Sequence, residues 1–277
     1  MTILKEKQLE DIRILQEESE MGDFTLKLNW ETLRSRNGVL KNDFFHYDGR
    51  KLVGFLGLYE FGSKIEMCGM VHPDFRRQGI FTELKDEAIE SARQREHKLI
   101  ILNAPAQSPS GKAFLEQLPC TLAFSEYQMK WSQMELGEYD DVVIRPSRRK
   151  DEETEILLDI NCFHFTEKEA RDYYQRILHE DTLKTMMIES DGRAVGKIRV
   201  DHSGGEAWIY GFSILPEYQG RGLGRKVLKK LVAEQSQLGY DIFLEVEATN
   251  EHALKLYESC GFQTIQRQDY YQYEGLK

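Results

Sequence analysis

The sequence predicts a mixed α/β fold, strands and helices interleaved around a sheet, and predicts it twice in one chain. Three observations carry that expectation. The chain has 277 residues, about twice the ~100–150 of a common single domain. A pattern of residues recurs at a fixed offset. The second half also interleaves apolar strand-like runs with amphipathic helical stretches, as mixed α/β folds do. With 40% hydrophobic residues, 30% charged and only 6 prolines, the chain has material for packed cores and none of the bias of a disordered one.

The repeat is direct. Val71-His72-Pro73-Asp74-Phe75-Arg76-Arg77-Gln78-Gly79 reads like Ile214-Leu215-Pro216-Glu217-Tyr218-Gln219-Gly220-Arg221-Gly222, at an offset of 143 residues. Asp48-Gly49-Arg50 matches Asp191-Gly192-Arg193 at the same offset, each a hairpin turn between apolar strands. Leu99-Ile100-Ile101-Leu102 then falls opposite Ile242-Phe243-Leu244-Glu245. The boundary is expected in the acidic stretch 136–141, giving domains 1–138 and 139–277.

The elements follow in order. The first half opens with a helix over Lys5–Ser19 and repeats the order that is clearer in the second. There, Val142-Val143-Ile144-Arg145 begins as a strand, and helices are expected over 150–163 and 167–179. Strand-like runs cover 183–190, 193–201 and 206–215. A helix over 222–238 places Leu223, Val227, Leu228 and Leu231 on one face. A strand over 242–246, a short helix over 250–260 and two terminal strands, 262–267 and 268–274, complete the unit.

Composition excludes several functions. The formal net charge is −10, shared evenly between the halves, which argues against a nucleic-acid or anionic-membrane partner. No apolar run reaches the ~18 residues of a membrane span, and Met1–Glu20 has no apolar leader segment, so a cytoplasmic protein is expected. Cys68, Cys120, Cys162 and Cys260 show no Cys-x-x-Cys spacing and read as buried reduced thiols. The 7 histidines include no His-Glu-x-x-His pattern, so no metal is expected.

Chemistry enters at Gln219-Gly220-Arg221-Gly222-Leu223-Gly224, between a strand and a long helix. Glycines allow close backbone approach, and a helix start offers unpaired amides and partial positive charge, which suit a phosphate. Arg221 or Arg225 could add a charge-assisted contact. A mononucleotide loop would need Gly-Lys-Ser/Thr, which is absent. A dinucleotide fingerprint would need its third glycine one place later, and its turn after the first strand.

Ile214-x-Pro216-Glu217-Tyr218-Gln219-Gly220-Arg221-Gly222-x-Gly224 resembles the acyl-CoA-binding motif of the GNAT superfamily of N-acetyltransferases. Leu244-Glu245-Val246-x-x-x-Asn250-x-x-Ala253-x-x-x-Tyr257-Glu258-x-x-Gly261-Phe262 resembles that family's next strand and helix. The stretch Leu244–Tyr273 is similar to ribosomal-protein alanine N-acetyltransferases, down to the pair Tyr270-Tyr271. The resemblance implies a largely antiparallel sheet flanked by helices, acetyl-CoA as cosubstrate, and an amine or protein N-terminus as acceptor.

It also implies roles. The strand ending near Ile214 would splay from its neighbour and hold the acetyl carbonyl with backbone amides. Gln219, Gly220, Arg221, Gly222, Leu223, Gly224 and Arg225 would hold the pyrophosphate. Asn250 would contact the cofactor, or else cap its own helix. Tyr257 would protonate the departing thiolate. Glu245, 12 residues before Tyr257, is the first candidate for general base, and Glu206 on the preceding strand is its rival. The segment Cys162–Glu167, with Tyr173 and Tyr174 nearby, would wall the acceptor site, with His164 structural.

In the first copy Phe81 stands where the family has Gly or Ala, Gln117 falls opposite Tyr257, and Leu102 opposite Glu245. A degenerate, substrate-shaping first domain is expected, as in the tandem mycothiol synthases. Alternatives are a non-catalytic CoA-binding sensor or scaffold, and transfer of a longer acyl group.

Overall fold

Two hairpins, 142 residues apart in sequence, set the frame of each half. Asp48 pairs with Lys51 across Gly49-Arg50, and Ser190 pairs with Arg193 across Asp191-Gly192. Asp191 and Gly192 both take positive φ, +51° and +73°, which a two-residue hairpin of primed type requires. The aligned residues therefore serve loops that are shifted by one position. The computed structural model describes residues 3–20, 24–36, 39–61, 64–95, 99–137, 142–179 and 185–275. The junction expected at 138/139 and the expected strand start at Leu183 lie outside them. By contacts the chain forms two compact units, Met1–Glu126 with Gln266–Lys277, and Tyr127–Ile265.

In the first unit the strands run β1 (Asp43–Asp48), β2 (Lys51–Phe61), β3 (Lys64–Val71) and β4 (Leu99–Pro105). The first three are antiparallel neighbours and β3–β4 is parallel. The chain's last strand then adds antiparallel to β4, with Tyr270 opposite Asn103. Side chains alternate along β2: Phe55 and Tyr59 pack under helices α1 (Glu6–Ser19) and α2 (Trp30–Arg34), with Ile12, Leu15 and Leu33. Leu56 and Leu58 pack on the other face, against Leu84, Ala88 and Ala92 of α3 (Ile80–Arg93). Helix α4 (Pro109–Leu115) starts at Ser108, whose hydroxyl caps it by accepting from the Gly111 amide.

The second unit repeats this plan. Its strands are β6 (Val143–Pro146), β7 (Thr185–Ser190), β8 (Arg193–Ser203), β9 (Glu206–Ile214) and β10 (Asp241–Glu247), completed by Tyr127–Trp131 of β5 (Cys120–Trp131). Strands β6 to β9 are antiparallel and β9–β10 is parallel. Helix α7 (Leu223–Gln237) lays Val227, Leu228, Leu231 and Val232 on Ile198, Ile209, Ile242 and Leu244. Burying four such side chains contributes roughly 6–12 kcal/mol before entropy, and Leu228→Ala alone would remove about 2–5 kcal/mol. Helices α5 (Glu152–Phe163) and α6 (Glu167–His179) run between β6 and β7, and Leu158 of α5 packs with Met187 and Leu215 on the opposite face. Helix α8 (Glu251–Ser259) leads into β11 (Phe262–Tyr273).

The two terminal strands expected at 262–267 and 268–274 are thus one continuous strand. No Gly, Pro or Asn lies between Phe262 and Tyr273 to turn the chain. Each copy's last strand ends in the other compact unit: β5 begins in the first and finishes in the second, and β11 does the reverse. Of the free cysteines, Cys68 and Cys260 are buried, whereas Cys120 and Cys162, expected to be buried, are half-buried. No helix among the described residues is long and apolar enough to cross a membrane.

Candidate active site

Parallel pairing of β9 with β10 runs from Glu206–Asp241 to Ile209–Leu244. Beyond that point both strands continue, β9 to Ile214 and β10 to Glu247, without further pairs in the register. The cause lies in β9. Gly211 takes φ +56°, and the β8–β9 register shifts between Lys197–Ser213 and Arg199–Tyr210, which is a bulge that bends the strand. Amides of β9 past Tyr210 therefore face a gap instead of β10.

The glycine-rich turn stands at the end of that gap. Gly220 and Gly222 have φ of +72° and +78°, and a side chain at either would meet nothing within 4 Å. Their glycines answer to backbone conformation, and the space above them is open. Gly222 is the N-cap of α7, whose first turn carries no acidic residue, so the first-turn amides of Leu223, Gly224 and Arg225 point out of the helix start without intrahelical partners. Gln219 donates Nε2 to the carbonyl of Ile214 at 2.7 Å, tying the turn to the strand. Arg221 is folded back, donating to the Glu217 carbonyl at 2.8 Å and lying over the Tyr218 ring. Arg225 is exposed on the first helical turn. This donor set fits a phosphate or pyrophosphate.

Helix α8 packs beside the turn: a Cβ on Gly224 would lie 3.4 Å from Leu256 and 3.5 Å from Ile214. That helix carries Tyr257, almost wholly buried in the core with its ring 6.2 Å from Phe262. Burial, with Cys260 adding to it, pushes the Tyr257 phenol up to about 12, so it stays protonated at neutral pH. Asn250 accepts from the Ala253 amide at 3.1 Å and caps α8; the capping alternative is the one the structure adopts. Glu245 is half-buried and follows Leu244, the last β10 residue paired with β9. Glu206 lies elsewhere. It opens β9 opposite Asp241, four residues or ~13 Å along the sheet from the level of Glu245, and its carboxylate accepts from the Trp208 indole at 2.8 Å.

The acetyltransferase (GNAT) family matches residues 8–115 and 151–262, most of the chain. The chain belongs to the GNAT acetyltransferase family. It is 41% identical over 66 residues to the spermine/spermidine N(1)-acetyltransferase of Bacillus subtilis, covering 23% of this chain and 43% of that protein. It is also 41% identical over 68 residues to a ribosomal-protein alanine N-acetyltransferase of Escherichia coli, covering 24% and 46%. The chain thus spans less than half the length of these relatives. Among solved structures, a GCN5-related N-acetyltransferase from Sphaerobacter thermophilus superposes with TM-score 0.71 at 17% identity, covering 87% of this chain and 84% of that one. A tandem GNAT protein from the clavulanic acid biosynthesis pathway gives TM-score 0.70 at 13% identity over 98% and 96%. These likenesses show the fold.

On the α5–α6 side of the second GNAT unit lies a buried polar group that the sequence reading missed. Lys197 donates to Asp159 at 2.8 Å and Ser147 to Glu155, and Arg199 donates to the Tyr173 hydroxyl. Cys162, in the expected acceptor wall, donates Sγ–H to the Ile214 carbonyl at 3.5 Å. Tyr173 meets Phe165 edge-on, while Tyr174 packs into a small core with Ile156 and Ala170. His164 is exposed and adopts φ +58° at the C-terminus of α5. The only advance signal was a pair of cations, Lys197 and Arg199, alternating with apolar residues in a strand.

The first GNAT unit has the same parting of strands. Pairing of β3 with β4 ends at Met67–Leu102, and a cleft of about 330 Å³ opens beyond, lined by Met70, Val71, Phe81, Asn103, Phe114 and Gln117 among others. Phe81 meets Phe114 edge-on at 5.0 Å inside it. Helices α4 and α8 start alike, Ser108 accepting from the Gly111 amide and Asn250 from the Ala253 amide. That puts buried Leu115, not the expected Gln117, in the place of Tyr257; Gln117 lies past the end of α4 and donates to the Ala113 carbonyl. Since the paired stretches end at Leu102 and Leu244, Asn103 and not the expected Leu102 stands at the level of Glu245. The cleft persists without a carboxylate or phenol at these two positions.

Proposed function

We propose that the chain is an acetyl-CoA-dependent N-acetyltransferase whose chemistry takes place in the second unit. One observation carries this reading: the gap between β9 and β10 opens onto the Gly222-capped start of α7, with Glu245 and the α8 tyrosine Tyr257 following it in the chain. The first-turn amides and open space of the glycine turn fit the cosubstrate's pyrophosphate, and unpaired β9 amides offer donors for an acyl oxygen. Acetyl-CoA supplies the activated acyl group. Glu245 takes the proton that an ammonium must lose before its nitrogen attacks, and Tyr257 gives its phenolic proton to the departing thiolate sulfur. The acceptor is an amine, in line with the polyamine and ribosomal-protein alanine named for the relatives.

The first unit, with Asn103 and Leu115 at the positions of Glu245 and Tyr257, serves as a non-catalytic partner. Differential scanning of the whole chain with and without acetyl-CoA tests the proposal, followed by thiol release with an amine panel. A rise in melting temperature with turnover supports it. Binding without turnover of any amine favours a sensor or scaffold, and no binding ends the reading.

A further inference from the structure

Arg199 is buried, 8% exposed, yet among the described residues no carboxylate lies within ion-pair distance of it. Its Nη2 donates to the Tyr173 hydroxyl and its guanidinium lies 5.2 Å over that ring, but Nε is buried without a hydrogen-bond partner. The nearby acids are otherwise engaged: Asp159 accepts from Lys197 and Glu155 from Ser147. A second orphan, the Ser213 hydroxyl on β9, is buried without a partner on the same face of the sheet, since Ser213 pairs with Lys197, two residues before Arg199. A buried guanidinium Nε and a buried hydroxyl left without acceptors are costly unless something else supplies them.

Their position says what could. Arg199 pairs in register with Tyr210, the first β9 residue beyond the last pair with β10, and Glu245 follows the β10 member of that pair. Arg199, Tyr210 and Glu245 thus stand at one level on three successive strands. Ile198, Ile209, Leu244 and Val246, their neighbours in sequence, all face the core under α7, so these three face the other way. The guanidinium reaches into the parted region itself: a Cβ on Gly211 would lie 2.8 Å from Arg199 Nη2. Two strand spacings, ~10 Å between backbones, separate the carboxylate proposed to receive the amine's proton from a guanidinium that no described carboxylate approaches to ion-pair distance, although Asp159 feels its charge.

We propose that the acceptor is a small amine that also carries a carboxylate, with Arg199 and Ser213 binding that carboxylate beneath Tyr173 while the amine faces Glu245. This rests on the acyl-transfer reading above. A planar guanidinium matches a carboxylate with two parallel hydrogen bonds. A polyamine brings only cations to Arg199, and a protein N-terminus brings no carboxylate of its own.

The test uses the whole chain, acetyl-CoA and thiol release, with common amino acids each set against its carboxamide, plus spermidine and an alanine-initiated peptide amide. At least one amino acid is expected to exceed its amide in kcat/KM by about 10–100-fold, the loss of a charged hydrogen-bonded contact. Arg199→Met should bring that ratio to near one, and Arg199→Lys should retain part of it. Amides, spermidine or the peptide used as well as amino acids overturns the inference. So does an unchanged ratio in either variant, or acetyl-CoA binding with no amino acid accepted. If acetyl-CoA fails to raise the melting temperature, the acyl-transfer reading falls first and this inference falls with it.

Discussion

Lys197 Nζ lies 2.8 Å from Asp159 Oδ1, with side chains only 4% and 3% exposed. Burial pulls the lysine down and pushes the aspartate up, and each is opposed by the attraction of the other. Each buried group is therefore compensated chiefly by the other. Removing one partner leaves an uncompensated buried charge, which costs about 3–5 kcal/mol, whereas replacing both by apolar groups is often near neutral. Asp159→Asn should accordingly destabilise the second unit by about that amount, and Lys197→Met with Asp159→Leu should recover most of it. Urea unfolding followed by tryptophan fluorescence reads the difference. A single-variant loss below about 1 kcal/mol would contradict the buried pair.

Tyr257→Phe removes the phenolic proton and keeps the ring. Its kcat should fall by about 10²-fold or more, with the acetyl-CoA-induced rise in melting temperature kept. Because burial pushes the phenol up to about 12, ionisation of Tyr257 should place no basic limb in kcat below about pH 10. A limb near pH 8 that vanishes in Tyr257→Phe would show that the phenol titrates in the working range and is not held protonated.

Asp151 accepts two hydrogen bonds from the Arg145 guanidinium, at 2.6 and 2.9 Å. Those bonds hold its carboxyl below its ordinary 3.8, against burial and with help from the Arg148 amide. A carboxyl held low in the folded chain binds its proton more weakly than in the unfolded chain. Its stabilisation is therefore complete above about 3.8 and is lost as pH falls through the lower folded value. The stability gap between wild type and Asp151→Asn should be widest above about pH 5 and close toward pH 2. Acid titration followed by circular dichroism checks this, and a gap that stays constant with pH would remove the linkage.

Local signals made the turn and the α8 motif legible, because Gly220, Gly222 and Tyr257 act through backbone conformation and neighbours close in sequence. The repeat exposed the paired fold for the same reason. What stayed hidden depends on partners far along the chain. Lys197 and Arg199 alternate with Ile198 and Val200 like the wet face of a strand, and nothing nearby says that α5 and Tyr173 cover them. Glu206 shares a strand with the gap, but the parallel register puts it at the other end. The passage of β11 from one unit to the other is equally silent, since a strand's composition records burial and not which sheet receives it.

Gly222 and Gly224 differ in what glycine does for each, which separates folding from binding. Gly222 has φ +78° and open space around a would-be Cβ, so Gly222→Ala strains the start of α7 by about 1–2 kcal/mol without a clash. Gly224 has no positive φ, and its Cβ would make ordinary contacts with Leu256, Ile214 and Phe212 at 3.4–3.6 Å. Gly224→Ala should fold at least as well as wild type, given alanine's higher helix propensity of about 1 kcal/mol, and keep its response to acetyl-CoA. Gly224→Phe introduces the ring that Phe81 places at the equivalent turn of the first unit, and should lose that response. Thermal unfolding with and without acetyl-CoA measures both effects on the same samples. An undiminished response in Gly224→Phe would mean that the cosubstrate does not lie against the start of α7.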